Sequence, residues 1–116
     1  GGSGSDYILG GGGNDTVDGE GDSDEIWGEE GNDTVRGGGG NDFVSGDDGV
    51  DKVYGDGGED TLAGGRGADE LFGGDDDDDL WDWLSPNQDD GDYDILRGEG
   101  GLWDTFQRGV GDLVLP

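Results

Sequence analysis

Between Gly1 and Trp81 the chain repeats itself every nine residues, nine times and without a gap. Each unit opens on Gly, usually carries Gly at position 4, and has Asp at position 6 and an aliphatic residue at position 8. The sixth-position series is Asp6, Asp15, Asp24, Asp33, Asp42, Asp51, Asp60, Asp69 and Asp78. The eighth-position series is Ile8, Val17, Ile26, Val35, Val44, Val53, Leu62, Leu71 and Leu80. A nine-residue unit has room for one turn and one short strand. It cannot bury an apolar face alone, so the units must stack on one another.

Composition taken alone points elsewhere. Only 27% of the 116 residues are hydrophobic, 31 are glycine, and the formal net charge is −27. Such a chain buries too little apolar surface to offset its backbone ordering entropy, and self-repulsion opposes compaction. Yet an acidic linker does not keep an aliphatic residue at every ninth position. Both facts are met if the chain is disordered alone and folds when a multivalent cation neutralises its acids. The absence of Cys and His removes disulfides and thiolate or imidazole metal sites, so zinc, copper and haem are poor candidates. No apolar run is long enough for a membrane span, and no signal peptide opens the chain. The start at Gly1, in phase with the repeat and lacking Met, fits a segment cut from a longer protein. Five basic residues against 32 acidic ones argue against nucleic acid as a partner.

Within a unit, positions 1–6 read as a Gly-rich turn and positions 7–9 as a strand. Three strand residues put position 8 on one face and positions 7 and 9 on the other. Two units then form one 18-residue coil with two strands and two turns. Stacked coils make an all-β solenoid of two short-stranded parallel sheets, a right-handed parallel β-roll with an aliphatic ladder inside. Odd units supply Ile8, Ile26, Val44, Leu62 and Leu80 to one sheet, and even units supply Val17, Val35, Val53 and Leu71 to the other. Coils rise by roughly 4.8 Å, the strand spacing.

Some units deviate. Position 4 is Asp22 or Asp76, position 2 is Glu20, Glu29, Asp47 or Asp56, and position 3 carries Glu30, Arg66 or Asp75. A non-Gly residue at position 4 is expected to weaken its local site. Residues 82–88 break the phase as an inserted loop. Residues 89–107 then read as degenerate repeats, with Asp94 and Leu96 kept and one extra residue near Trp103. Residues 108–116 read as an irregular C-terminal cap or tail, with Trp83, Trp103 and Phe106 as further cap candidates. No N-terminal cap is visible, so that end is expected to fray.

Ca²⁺ takes six to eight oxygen ligands in flexible geometry, whereas Mg²⁺ keeps its waters and demands an octahedron. The metal-ligand candidates are the side chains of the nine sixth-position residues and of Asp94. With them go the backbone carbonyls of Gly2, Gly4, Gly11, Gly13, Gly31, Gly38, Gly40, Gly49, Gly58, Gly65, Gly67 and Gly74. One turn holds too few oxygens, but two turns stacked on one edge can enclose an ion. Asp6, Asp24, Asp42, Asp60 and Asp78 line one edge with four gaps. Asp15, Asp33, Asp51 and Asp69 line the other with three, and Asp94 adds a fourth. About seven to eight divalent ions would cancel about 14 to 16 of the 27 formal negative charges. An isolated Gly-x-Asp is an ordinary solvated turn; nine in register, each followed by an aliphatic residue, are not.

Units such as Gly37–Ser45 carry the full motif of the repeats-in-toxin (RTX) domains of Gram-negative secreted proteins, which the array resembles. The resemblance is strong over 1–81 and weak over 89–107. It implies a parallel β-roll with Ca²⁺ between stacked turns, and a chain that leaves the cell unfolded through a type I channel and folds in the Ca²⁺-rich exterior. Such domains accompany cytolysins, metalloproteases, lipases, adhesins and alginate epimerases. The tail Asp112-Leu113-Val114-Leu115 also looks like the ending of some type I secretion signals.

Three functions compete. The first is a non-catalytic, Ca²⁺-responsive folding and secretion module. The second is an interaction module using Tyr7, Leu9, Trp27, Phe43 and Trp81, the outward residues of the odd-unit sheet, toward a neighbouring domain, a dimer mate, a carbohydrate or a surface. The third is an enzyme. Carboxylate pairs such as Asp75 and Asp79 exist, but they lie on the periodic scaffold, and without His no hydrolase triad can form.

Overall fold

The computed structural model describes residues 1–81, 95–101, 105–107 and 113–115. Every element among them is a strand. Eight six-residue strands follow one another: β1 (Tyr7–Gly12), β2 (Thr16–Gly21), β3 (Glu25–Glu30), β4 (Thr34–Gly39), β5 (Phe43–Asp48), β6 (Lys52–Gly57), β7 (Thr61–Arg66) and β8 (Glu70–Asp75). Four three-residue strands complete the set: β9 (Asp79–Trp81), β10 (Ile95–Arg97), β11 (Thr105–Gln107) and β12 (Leu113–Leu115). They form two parallel sheets, ordered β1-β3-β5-β7-β9-β11 and β12-β10-β8-β6-β4-β2. The chain alternates between the sheets, so each coil adds one strand to each. This is the all-β parallel roll that the nine-residue period requires.

The register follows the 18-residue coil. Ile8 pairs with Ile26, Ile26 with Val44, Val44 with Leu62 and Leu62 with Leu80. In the second sheet Val17 pairs with Val35, Val35 with Val53 and Val53 with Leu71. Ile26, Val35, Val44, Val53, Leu62, Leu71, Leu80 and Leu96 are fully buried and form the core. Ile8 and Val17 are only partly buried, because no coil lies above them.

β1 to β8 are twice the expected length. Each continues through positions 1–3 of the following unit, so the turn contracts to positions 4–6. Pairing resumes at positions 2 and 3, as in Gly11↔Glu29 and Gly12↔Glu30, but skips position 1. Identical units at equal height keep the ladder going past the aliphatic residue, and a corner at positions 1–2 bends the strand. The Gly2 N–H makes the same bond outside any strand, donating to the Gly19 carbonyl at 3.1 Å.

Beyond Trp81 the ladder recovers its register. β10 pairs with β8, setting Leu96 on Leu71, and the Ile95 N–H donates to the Asp69 carbonyl at 2.9 Å. β11 pairs with β9, with Phe106 opposite Leu80. The tail contributes β12, whose Val114 lies opposite Leu96, so it ends the roll by continuing the second sheet. The inserted residues 82–88, Trp83 and Trp103 lie outside the described residues.

Leu62, buried in the middle of the ladder, and Ile8, in the open first coil, test this packing together. In the folded chain Leu62→Ala is expected to cost about 2–5 kcal/mol in urea unfolding, and Ile8→Ala distinctly less. Equal costs would contradict a core that is loose at its N-terminal end.

Candidate metal-binding turns

Positions 2 and 4 take positive φ in all nine units. The twelve glycines named above as carbonyl donors all do so, with φ between 95° and 155°. Glu20, Asp22, Glu29, Asp47, Asp56 and Asp76 occupy the same two positions and adopt φ between 72° and 78°. These acids therefore keep the turn intact, at a local strain that Asp tolerates better than most residues.

The first glycine of each unit is required for space, not for φ. A Cβ on Gly28 would lie 2.6 Å from Asp33 Oδ2 and 2.6 Å from the Gly46 carbonyl oxygen of the next coil. Gly19 would meet Asp24 and Gly37 in the same way. The position-6 carboxylate therefore folds back onto its own unit's first glycine, where a side chain would block it.

From Asp24 to Asp60 that carboxylate is half satisfied. Oδ1 accepts a hydrogen bond from the N–H of the position-6 residue one coil earlier. Asp6 donates to Asp24, Asp24 to Asp42, Asp42 to Asp60 and Asp60 to Asp78, at 2.8–2.9 Å. Asp15 donates to Asp33, Asp33 to Asp51 and Asp51 to Asp69, at 2.7–2.8 Å. Each Asp from Asp24 to Asp78 in the two columns is at most 4% exposed. Oδ2 of Asp6, Asp15, Asp24, Asp33, Asp42, Asp51 and Asp60 is buried without any hydrogen-bond partner.

A second ladder, unread in the sequence, spans the same gaps at position 5. Asn14 Oδ1 accepts from the Asn32 N–H at 2.9 Å, and Asn32 Oδ1 from the Val50 N–H at 3.0 Å. On the other edge Ser23 Oγ accepts from Asn41 N–H at 3.1 Å and Asn41 Oδ1 from Glu59 N–H at 3.2 Å. These bonds run against the carboxylate bonds, so every such gap is laced in both directions. The signal was the run of Ser and Asn just before the invariant Asp.

A buried anionic oxygen with no donor calls for a cation. Among the described residues no three acidic side chains gather into a cluster of their own. The donor set at each turn is therefore one carboxylate plus main-chain oxygen, which suits a hard ion of flexible coordination. Burial, reinforced by the neighbouring carboxylates of the column, pushes the Asp60 carboxyl up to about 7 and that of Asp51 up to about 6, and raises Asp42 as well.

A family model, the RTX calcium-binding nonapeptide repeat, matches four overlapping stretches, residues 1–35, 18–53, 27–62 and 54–81. The chain belongs to that RTX repeat family. No curated protein and no solved structure matches it. Membership supports calcium binding by the RTX roll, and the half-satisfied carboxylates fit that ion. Asp94 lies outside the described residues.

Two predictions follow from the buried carboxylates of this RTX roll. Gly28→Ala, without any φ penalty, is expected to raise the Ca²⁺ concentration needed for folding as much as Gly65→Ala at a positive-φ corner, read by circular dichroism. The second concerns pH. Asp51 and Asp60 hold protons in the metal-free roll that the unfolded chain has already released above about pH 4. Stability of the metal-free roll therefore falls as pH rises from about 4 to about 7, where Asp60 finally ionises. Acidifying a chelator-treated sample from pH 8 to pH 5 should increase its β signal.

Proposed function

We propose that this segment is a non-catalytic calcium module that is disordered without Ca²⁺ and folds on binding it outside the cell. The observation that carries the reading is the column of buried, unpartnered Oδ2 atoms. Without a cation these atoms oppose the roll; with one they hold it together. Binding energy is then folding energy. The ligands in this reading are the sixth-position Asp side chains, with Asp94, and the main-chain carbonyls of the positive-φ glycines. About seven to eight ions fill four gaps on one edge and three to four on the other. A cytosol poor in Ca²⁺ would keep the chain unfolded for export, and the exterior would fold it. The parent protein's chemistry lies outside this segment.

A second reading, contact with a neighbouring domain or a second copy, is favoured by Tyr7 and Leu9. They are 64% and 50% exposed on the outward side of the first sheet.

The decisive measurement is a Ca²⁺ titration followed by far-UV circular dichroism. A cooperative gain of β signal at millimolar Ca²⁺ is expected, with Mg²⁺ far less effective; a flat titration would sink the proposal. Asp42→Ala, in the middle of its column, should raise the midpoint more than Asp6→Ala at the open end.

A further inference from the structure

A groove of about 530 Å³ runs along the first edge of the roll, with Asp6, Asp24 and Asp42 of the turn column among its lining and the residues on either side of them forming its walls. Tyr7, Glu25 and Phe43 succeed one another on its outer wall, one per coil. Ser23, Asn41 and Glu59 form the opposite wall. Four features bear on what this groove can hold.

First, none of its described lining residues is basic. The four ion pairs among the described residues join Arg36 to Asp56, Lys52 to Glu70, Arg66 to Asp48 and Arg97 to Glu70, all elsewhere. The carboxylates of Glu25 and Glu59 are therefore uncommitted, and they stand outside the position-6 ladder. Second, the two rings lie two coils apart, roughly 9.6 Å, with a carboxylate between them. Tyr7 is largely exposed, and Phe43 is propped from one side by Trp27, at 5.1 Å between centroids and a 43° tilt. Third, Ser23 and Asn41 spend only acceptor oxygens on the backbone, so the Ser23 hydroxyl proton and the Asn41 amide protons remain to donate. Fourth, these positions recur at the coil rise, so the groove suits a ligand that is itself periodic and extended.

We infer that this groove binds an extended β-linked aminosugar chain, with its ammonium groups on Glu25 and Glu59 and its flat sugar faces on Tyr7 and Phe43. A sugar ring in such a chain presents the same face at every second residue, close to the two-coil spacing of the rings. Its hydroxyls meet the donors of Ser23 and Asn41. A protonated amine beside an aromatic face also gains from the ring quadrupole. A flexible polyamine would use the two carboxylates but leave both rings idle. A neutral glycan would use the rings and leave the carboxylates unpaired. The inference goes beyond the calcium reading, because none of the six groups is a proposed calcium ligand.

The test uses the Ca²⁺-loaded chain, its fold checked by circular dichroism, and a β-1,4-linked glucosamine tetramer at a pH where its amines are protonated. Salt is held at about 0.15 M so that diffuse attraction to the acidic chain is screened. Calorimetry should give saturable binding. Tyr7→Ala and Phe43→Ala should each weaken it about fivefold or more, and the exposed, fold-neutral change Glu25→Gln about threefold. Thr16→Ala, on the other sheet, should change nothing. The fully N-acetylated tetramer and spermine should both bind more weakly. Equal binding of spermine, or indifference to both ring truncations, would overturn the inference. A chain that gains its β signal with Ca²⁺ yet binds no tetramer overturns it while leaving the calcium reading intact. A chain that gains no such signal overturns both.

Discussion

The carboxylates of Asp24, Asp33, Asp42, Asp51 and Asp60 are pulled two ways. One oxygen is held by the backbone of the preceding coil at 2.7–2.8 Å, and the other is buried with no donor to accept from. The first contact sets the height and phase of every coil. The second is a cost of the order of a lost hydrogen bond or more at each turn, larger because the group is charged. A core of eight fully buried aliphatic residues has little surplus to set against a column of such costs. The aliphatic ladder therefore specifies the roll without securing it, and a cation at the turns does both. The raised carboxyls of Asp51 and Asp60 express the same conflict in protons: held in the fold without a counter-ion, they resist ionising.

Much of this was legible because a perfect repeat removes the usual freedom in strand pairing. With Asp at position 6 and an aliphatic residue at position 8 of every unit, only registers that are multiples of nine stack like on like, and a chain that alternates between two sheets takes the 18-residue one. Ile8 on Ile26 and Val17 on Val35 follow from that. The positive-φ corners were legible from the glycines at positions 2 and 4. The first glycine was harder to read. Its reason is a neighbour in space, the Oδ2 of its own unit's Asp, and not its own backbone angle. Strand length was underestimated for the same cause, since bare glycine backbone at positions 1–3 goes on pairing where sequence suggests a turn. Asp112-Leu113-Val114 carries the Asp-x-aliphatic signature of the repeat, but its unit lacks the opening glycine, so the terminal strand hid inside an apolar tail.

The second sheet holds a feature that no short window of sequence could reveal. Tyr54 and Phe72 stack at 4.7 Å with their planes 5° apart. Arg36 lies over the free side of Tyr54 at 4.7 Å, and Arg97 over Phe72 at 5.6 Å. Three of these residues are 18 apart, but Arg97 follows Phe72 by 25, so the column closes only because the insertion leaves the ladder undisturbed. Glu70 pairs with both Lys52 and Arg97 beside the stack. These contacts tie β4, β6, β8 and β10 together without any metal, and they fasten the first strand after the insertion to the array.

The two outward faces therefore differ in what they can still bind. Neighbouring coils sit at about the thickness of an aromatic ring pair. Aromatic residues in consecutive coils spend their faces on each other, and a guanidinium at either end consumes what is left. Tyr54 and Phe72 are in that condition: each has one face on the other ring and a guanidinium over it. In the first sheet Tyr7 and Phe43 are kept apart by Glu25, so their faces are not used up on one another. Whether an aromatic column in a β-roll serves cohesion or recognition is decided by what occupies the intervening coil. Here one acidic residue in that place turns a structural stack into an open, alternating site.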